Sequence, residues 1–331
     1  MRPAPYPQLN LEFRPIVEPV PGPQLRAVFD AHWPAYHRWI SRRAVGGPSP
    51  SDCRAQLRAH MPELWPIFTD LCAAFDADDH KARFLTLYAP TPLIRGCSQA
   101  ICASATGAVL ARNYDHAPHL CDGIVLASRW GGVGVHAMTD CLWGALDGVN
   151  EAGLAVALAF GGRKVVGHGF SASLIVRYLL QTCTTTAEAR QALARLPVYM
   201  SYNFTVLDRS GDHVTAFSAP DRPTSFATVP VSTNHQLGVE WPAYAHFTQT
   251  MERQAHLASV VMHRPELPAV IDAFLRPPLF RHDYRKGSGT LYTVAYDPRT
   301  MDLSLFWQGV SAVLSPTSAH PKTIRITYAS T

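Results

Sequence analysis

Between Cys97 and Phe160 the sequence breaks into short β-type runs, CSQAICAS, GAVLARNY, GIVLASRW, GVGVHAMT and GLAVALAF, separated by turn signals such as ATG, GG and NEAG. No such run can bury its apolar face alone, so the segment reads as a meandering antiparallel sheet. Helical spacing takes over at 170–183 and 186–195, the second opened by the capping pattern TTAE. Strands return at 202–208, 213–218 and 226–232. A Pro-broken helical stretch then covers 241–275, before a hairpin of TLYTVAYDP and MDLSLFWQG. Strand blocks flanking a central helix pair predict an α+β fold of two stacked antiparallel sheets covered by helices, a four-layer αββα arrangement.

The region before Cys97 has a different character. Residues 1–22 are Pro-rich and lack a period. From Gln24 to Arg43, Leu25, Val28, Phe29, Trp33, Tyr36 and Trp39 fall at helical spacing. After the break GGPSPS at 46–51, Asp52 is expected to cap a second helix reaching about Phe75, interrupted near Pro62 and Pro66. The chain therefore divides into a helical leader, 1–96, and a second unit, 97–331.

Hydrophobic residues make up 47% of the 331 and charged residues 16%, which supplies a core and excludes a disordered chain. No apolar run approaches the roughly 20 residues that span a bilayer, and the N-terminus lacks the basic and apolar regions of a signal peptide. A cytoplasmic protein with no membrane partner is expected. The 7 cysteines form no CxxC and no paired framework, so reduced thiols are expected. The net charge of +4 is dispersed, without the basic, aromatic-interleaved run of a nucleic-acid binder. Despite 15 histidines there is no HExxH or Cys/His quartet, nor any GxGxxG, Walker or GxSxG signature, so no metal or cofactor is expected.

Chemistry concentrates at Gly96-Cys97-Ser98 and Arg112-Asn113-Tyr114-Asp115. A small flexible residue just before a Cys, where helix gives way to strand, suits the strained backbone of an N-to-S acyl shift. Cleavage after Gly96 would free the α-amine of Cys97, whose ordinary pKa of about 7.7–8.0 lets one residue supply both nucleophile and base. A tight hairpin at ATG would bring Asp115 back beside Cys97, where an acid could hold the amine. Cys102, an odd number of residues further along the same strand, should face the opposite side and pack as core. Asn150 reads as a turn residue.

These residues resemble the N-terminal-nucleophile cysteine hydrolases, in particular the isopenicillin N acyltransferase (acyl-CoA:6-aminopenicillanic acid acyltransferase) family, with choloylglycine (bile-salt) hydrolases, penicillin V acylases and acid ceramidase as relatives. The similarity rests on Cys97, Gly107 in the hairpin turn and the Arg112–Asp115 motif. It continues through Asp147-Gly148-Val149-Asn150-Glu151-Ala152-Gly153-Leu154, like the family's D-G-x-N-E-x-G-L turn, and Asn203-Phe204-Thr205-Val206-Leu207-Asp208. It extends to Ser232-Thr233-Asn234-His235 and Thr290–Val294, covering about 97–309. The resemblance implies a four-layer hydrolase fold, catalytic roles for Cys97, Asp115 and Arg112, and an oxyanion-hole role for Asn234. Phe160, His235 and Arg285 are expected at the substrate, with Arg281 and Arg285 candidates for the family's late active-site Arg. One departure stands out: Ala159-Phe160-Gly161-Gly162 replaces the Asn or Tyr that bile-salt hydrolases carry after this strand, which argues against bile salts or penicillin V as substrates.

The expected function is a self-processed cysteine amidohydrolase acting on a linear amide of an N-acyl small molecule through an S-acyl-Cys97 intermediate. Alternatives are acyl transfer from a thioester or amide to an amine, or an unprocessed binding protein with the same fold. The two cleavage fragments should stay associated, and a homo-oligomer is compatible with the sequence.

Overall fold

The computed structural model describes residues 9–41, 47–94, 96–104, 107–318 and 322–328. The first described element is a strand, β1 (Leu9–Val17), in a stretch whose lack of a period gives no sign of it. Four helices follow, α1 (Pro23–Ser41), α2 (Pro50–His60), α3 (Trp65–Ala74) and α4 (Asp79–Leu85). Arg42 and Arg43, expected to finish the first helix, lie outside the described residues, as does Gly46. Ser49, not Asp52, is the N-cap of α2. Asp52 sits at the third helical position and completes a reciprocal capping box with Ser49. Pro62 and Pro66 mark the interruption and the restart at α3, as their missing N–H groups require.

The remaining elements are β2 (Gly96–Ser104), β3 (Gly107–His116), β4 (Ile124–Ser128), β5 (Val135–Asp140), β6 (Gly144–Asn150), β7 (Ala155–Phe160), α5 (Ala172–Thr182), α6 (Thr186–Arg195), β8 (Tyr202–Leu207), β9 (His213–Ala219), β10 (Arg222–Ala227) and β11 (Val231–Ser232). After these come α7 (Pro242–Thr248), α8 (Thr250–Met262), α9 (Leu267–Phe274), β12 (His282–Asp283), β13 (Ser288–Tyr296), β14 (Leu303–Trp307), β15 (Val310–Leu314) and β16 (Ile324–Tyr328). The runs from 97 to 160 do not form one meander. β2 and β3 belong to a sheet ordered β11-β2-β3-β13-β14-β15, with β12 paired to β13. β4 to β7 belong to a second sheet ordered β10-β9-β8-β7-β6-β5-β4-β1-β16. The expected strand 226–232 is likewise split between the two sheets, as β10 and β11. Pairing is antiparallel except for β1 with β4. Ala105 and Thr106 of the predicted hairpin turn lie outside the described residues, but Ser104 pairs with Gly107 across it.

The sheets stack on one core containing Cys97, Tyr114, Ala157, Val206 and Tyr292. α5 packs on β6 and β7 and α6 on β9, covering one outer face, while α8 and α9 cover the other over β2 and β3. A second apolar cluster under those helices holds Ala100, Cys102, Val109, Leu257, Val270 and Phe274. The period-2 alternation of β2 therefore separates Cys97, which faces the gap between the sheets, from Cys102, which faces the helices. The leader shares the first core. Phe29 stacks on Phe75 at 4.8 Å, and Tyr36 on Phe84 at 4.5 Å. Trp143 donates to the Leu85 carbonyl at 2.9 Å, and Tyr36 to Asp122 at 2.6 Å.

Candidate active site

The β2–β3 register sets Cys97 opposite Tyr114 and Gly96 opposite Asp115. Gly96 does not adopt a left-handed backbone, so the conformational strain expected there is replaced by a packing reason. A Cβ at this position would lie 3.0 Å from Asp115 Cβ and 3.2 Å from its Oδ2. The missing side chain gives the Asp115 carboxylate its space. Arg112 and Asp115 are three residues apart on β3 and leave the sheet on opposite faces. Arg112 enters the gap between the sheets, where its Nη2 donates to Cys97 Sγ at 2.8 Å. Its Nη1 donates to Asp147 Oδ2 at 2.6 Å and to the Leu146 carbonyl at 2.8 Å. Asp147 lies within strand β6 rather than in a turn, and also accepts from the hydroxyls of Tyr292, at 2.8 Å, and Tyr296. Burial pushes the Cys97 thiol above the ordinary range against the pull of Arg112. Burial also opposes the charge on Arg112, but Cys97 and Asp147 outweigh it and keep the guanidinium protonated.

Asp115 turns toward α8. Its Oδ1 accepts from Thr290 Oγ1 at 2.7 Å, and its Oδ2 lies 3.4 Å from Arg253 Nη1. Burial pushes this carboxyl up, while Arg253 and then Thr290 hold it down. Arg253 is a central residue that sequence reasoning missed. Its Nη1 donates to the Cys97 carbonyl at 2.9 Å and to Ser98 Oγ at 2.8 Å, and its Nη2 to Asn234 Oδ1 at 2.7 Å. The same Asn234 oxygen accepts the Cys97 backbone N–H at 2.9 Å. Asn234 Nδ2 donates to the Phe160 carbonyl at 3.1 Å, which ties the end of β7 to the strand of Cys97.

The structure thus brings together Gly96, Cys97, Arg112, Asp115 and Asn234, and attaches Phe160 through its main chain. The Phe160 ring meets Tyr244 edge-on at 5.2 Å and lines a small, mostly apolar cleft with Trp39, Leu93, Leu158 and Met200. His235 is buried, with Nδ1 3.0 Å from Thr250 Oγ1, and burial lowers its pKa. Arg285 is exposed on a 3-10 turn and Arg281 pairs with Asp283 at 3.0 Å, so the guanidinium at the Cys97 main chain is that of Arg253 instead. A signal for it existed in Thr250, Arg253 and Leu257, which form one buried stripe of α8, where an Arg is out of place unless it has partners. Asn150 is structural: its Nδ2 donates to the Leu180 and Cys183 carbonyls and its Oδ1 accepts from Leu154 N.

Among solved structures the chain is similar to penicillin V acylase from Agrobacterium tumefaciens, at 14% identity and TM-score 0.47, covering 69% of this chain and 90% of that one. It is also similar to the N-acylethanolamine-hydrolyzing acid amidase ortholog of Caenorhabditis elegans, at 14% identity and TM-score 0.45, covering 61% and 93%. A third likeness is to a mutant of conjugated bile acid hydrolase from Clostridium perfringens, at 10% identity and TM-score 0.43, covering 70% and 96%. None of the curated proteins matches. The family described as acyl-coenzyme A:6-aminopenicillanic acid acyl-transferase matches residues 102–311, a segment that includes Arg112, Asp115, Asn234 and Arg253 and starts just after Cys97. With well over half of its length matched, this chain belongs to the acyl-coenzyme A:6-aminopenicillanic acid acyl-transferase family.

Proposed function

We propose that this protein is a cysteine amidohydrolase that cuts its own chain between Gly96 and Cys97 and then acts on a linear amide of an N-acyl small molecule. The observation that carries the reading is the double engagement of Cys97: Sγ is held by Arg112, and the main-chain nitrogen by Asn234. In processing, Sγ attacks the Gly96 carbonyl carbon, the Gly96–Cys97 C–N bond breaks and a thioester forms. Water then hydrolyses that ester to a Gly96 carboxylate and a free thiol. In turnover the freed amine takes the Sγ proton, Sγ bonds to the substrate carbonyl carbon, and the departing amine leaves with a proton. Water releases the acid and regenerates the thiol.

Asp115, beside Gly96, steadies the amine from the helix side of the sheet. Asn234 Oδ1 faces the same nitrogen, and its Nδ2 supplies a donor for the oxyanion. Acyl transfer to an amine uses the same S-acyl intermediate, and the family's named reaction, which joins an acyl thioester to an amine, favours it as a second reading. Intact mass spectrometry of wild type and Cys97→Ala tests processing, and acyl-adduct trapping with N-acyl amides tests turnover. Wild type that stays full length on prolonged incubation, or adducts that persist in Cys97→Ala, overturns the proposal.

A further inference from the structure

Arg112 is engaged at both ends, by Asp147 at 2.6 Å and by Cys97 Sγ at 2.8 Å. One cation stands between two groups able to carry negative charge, in a site closed to solvent. The carboxylate is the better provided of the two, because Tyr292 and Tyr296 of β13 also donate to it. The other charged groups facing Cys97 are Asp115 of β3 and Arg253 of α8, which pair with each other at 3.4 Å. Tyr114 of β3 and Tyr244 of α7 add only neutral phenols. The charges around Cys97 therefore balance in pairs without a thiolate: Arg112 against Asp147, Arg253 against Asp115 and, behind them, Arg281 against Asp283 at 3.0 Å.

We propose that Asp147 is a positioning residue which, by neutralising Arg112, keeps Cys97 a thiol until a base takes its proton. Loss of the sulfur proton is then tied to the base rather than running ahead of it. The carboxylate acts through Arg112 from the opposite sheet. The proposal rests on the reading of Cys97 as nucleophile, but the sulfur's protonation can be followed without any turnover.

Two perturbations of this network should move the sulfur in opposite directions. Asp147→Asn keeps the shape and removes the charge, which leaves Arg112 with Cys97 as its remaining counter-ion, so the thiolate forms at lower pH. At the alkaline pH of a thiol titration, where Arg112 holds the buried Asp147 ionised, Tyr292→Phe with Tyr296→Phe keeps the charge and strips its donors, so a barer carboxylate competes harder for Arg112 and the thiolate forms at higher pH.

The test is a pH titration of the ultraviolet thiolate band in the full chain. Each variant is compared with the same variant carrying Cys97→Ala, so that the other thiols cancel. The expected result is a Cys97 midpoint lower by about 1 pH unit or more in Asp147→Asn, roughly tenfold more thiolate at a given lower pH, with return toward wild type in Asp147→Glu. In the tyrosine double variant the midpoint should rise. An unchanged or higher midpoint in Asp147→Asn overturns the proposal. Should that variant not fold, an unchanged or lower midpoint in the tyrosine double variant overturns it instead. A purely structural Asp147 would change turnover and leave the midpoint in place. Residual turnover in Cys97→Ala would sink the functional reading and with it the positioning role, whereas the midpoints alone decide whether Asp147 sets the protonation of the sulfur.

Discussion

A methyl group at position 96 would press on Asp115 Cβ at 3.0 Å, and that neighbour sits in a strand and cannot swing away. Gly96→Ala should therefore displace Asp115 and the bond to be cut. Overpacking of this kind costs about 1–3 kcal/mol, so cleavage should slow by about tenfold or more, read as fragment appearance on a timed gel. Cleavage at the wild-type rate would mean that the contact has no bearing on processing. Asn234 touches both sides of the proposed chemistry through different atoms, and Asn234→Ala removes both. In processed enzyme kcat should fall by about 10²–10³-fold with KM nearly unchanged. A KM defect alone would reassign Asn234 to substrate binding.

Local pattern reveals an element when the element carries its own period, and hides it when its partners are far away in the chain. α5, α6 and the hairpin of β13 and β14 were readable because their apolar spacing and caps are local. β1 was not, because LNLEFRPIV contains a proline and its partners are β4 and the distant C-terminal strand β16. The strand expected at 226–232 is cut in two because pairing with β9 ends at Ala227 and the chain crosses to the other sheet, where the Pro230 carbonyl already accepts from Ile101 N of β2 at 2.7 Å. In the site, Cys97, Arg112 and Asp115 share one hairpin and could be read together. Arg253 and Asp147 arrive from a helix and from the facing sheet, and only tertiary packing unites them with Cys97.

β5 carries a further expectation at this scale. His136 is buried there with Nδ1 2.8 Å from the Met301 carbonyl, and burial lowers its pKa. A histidine depressed in the folded state favours folding above its unfolded value of about 6.5, and that contribution is lost as pH falls toward and through the folded value. His136→Asn keeps a donor but cannot titrate. Its melting temperature should drop less than that of wild type between about pH 8 and about pH 5, and equal drops would remove His136 as a source of acid sensitivity.

At the scale of the whole molecule the described part of 1–96 shares the core, with β1 hydrogen-bonded on both edges and Phe13 buried against Tyr292 and Trp307 at 5.9 and 5.0 Å. Cleavage after Gly96 should leave 1–96 and 97–331 co-eluting under native conditions and separating only in denaturant. Phe13→Ala should destabilise by about 3–5 kcal/mol, the usual range for such a truncation, and lower the denaturant concentration at which the fragments part. Early separation of the wild-type fragments in plain buffer would contradict this.

The pairing of β1 with β16 brings Leu9 opposite Tyr328, so the two ends of the described chain lie side by side in one sheet. A protein cut at Gly96–Cys97 is then, in geometric terms, nearly a ring opened at a new place. Joining Tyr328 to Leu9 with a short linker and starting translation at a methionine placed before Cys97 would yield a circular permutant whose first mature residue, once that methionine is trimmed, is the proposed nucleophile itself. Such a chain would owe its free amine to the gene rather than to self-cleavage, and so would allow amide turnover to be measured in variants, Gly96→Ala among them, that can no longer cut themselves.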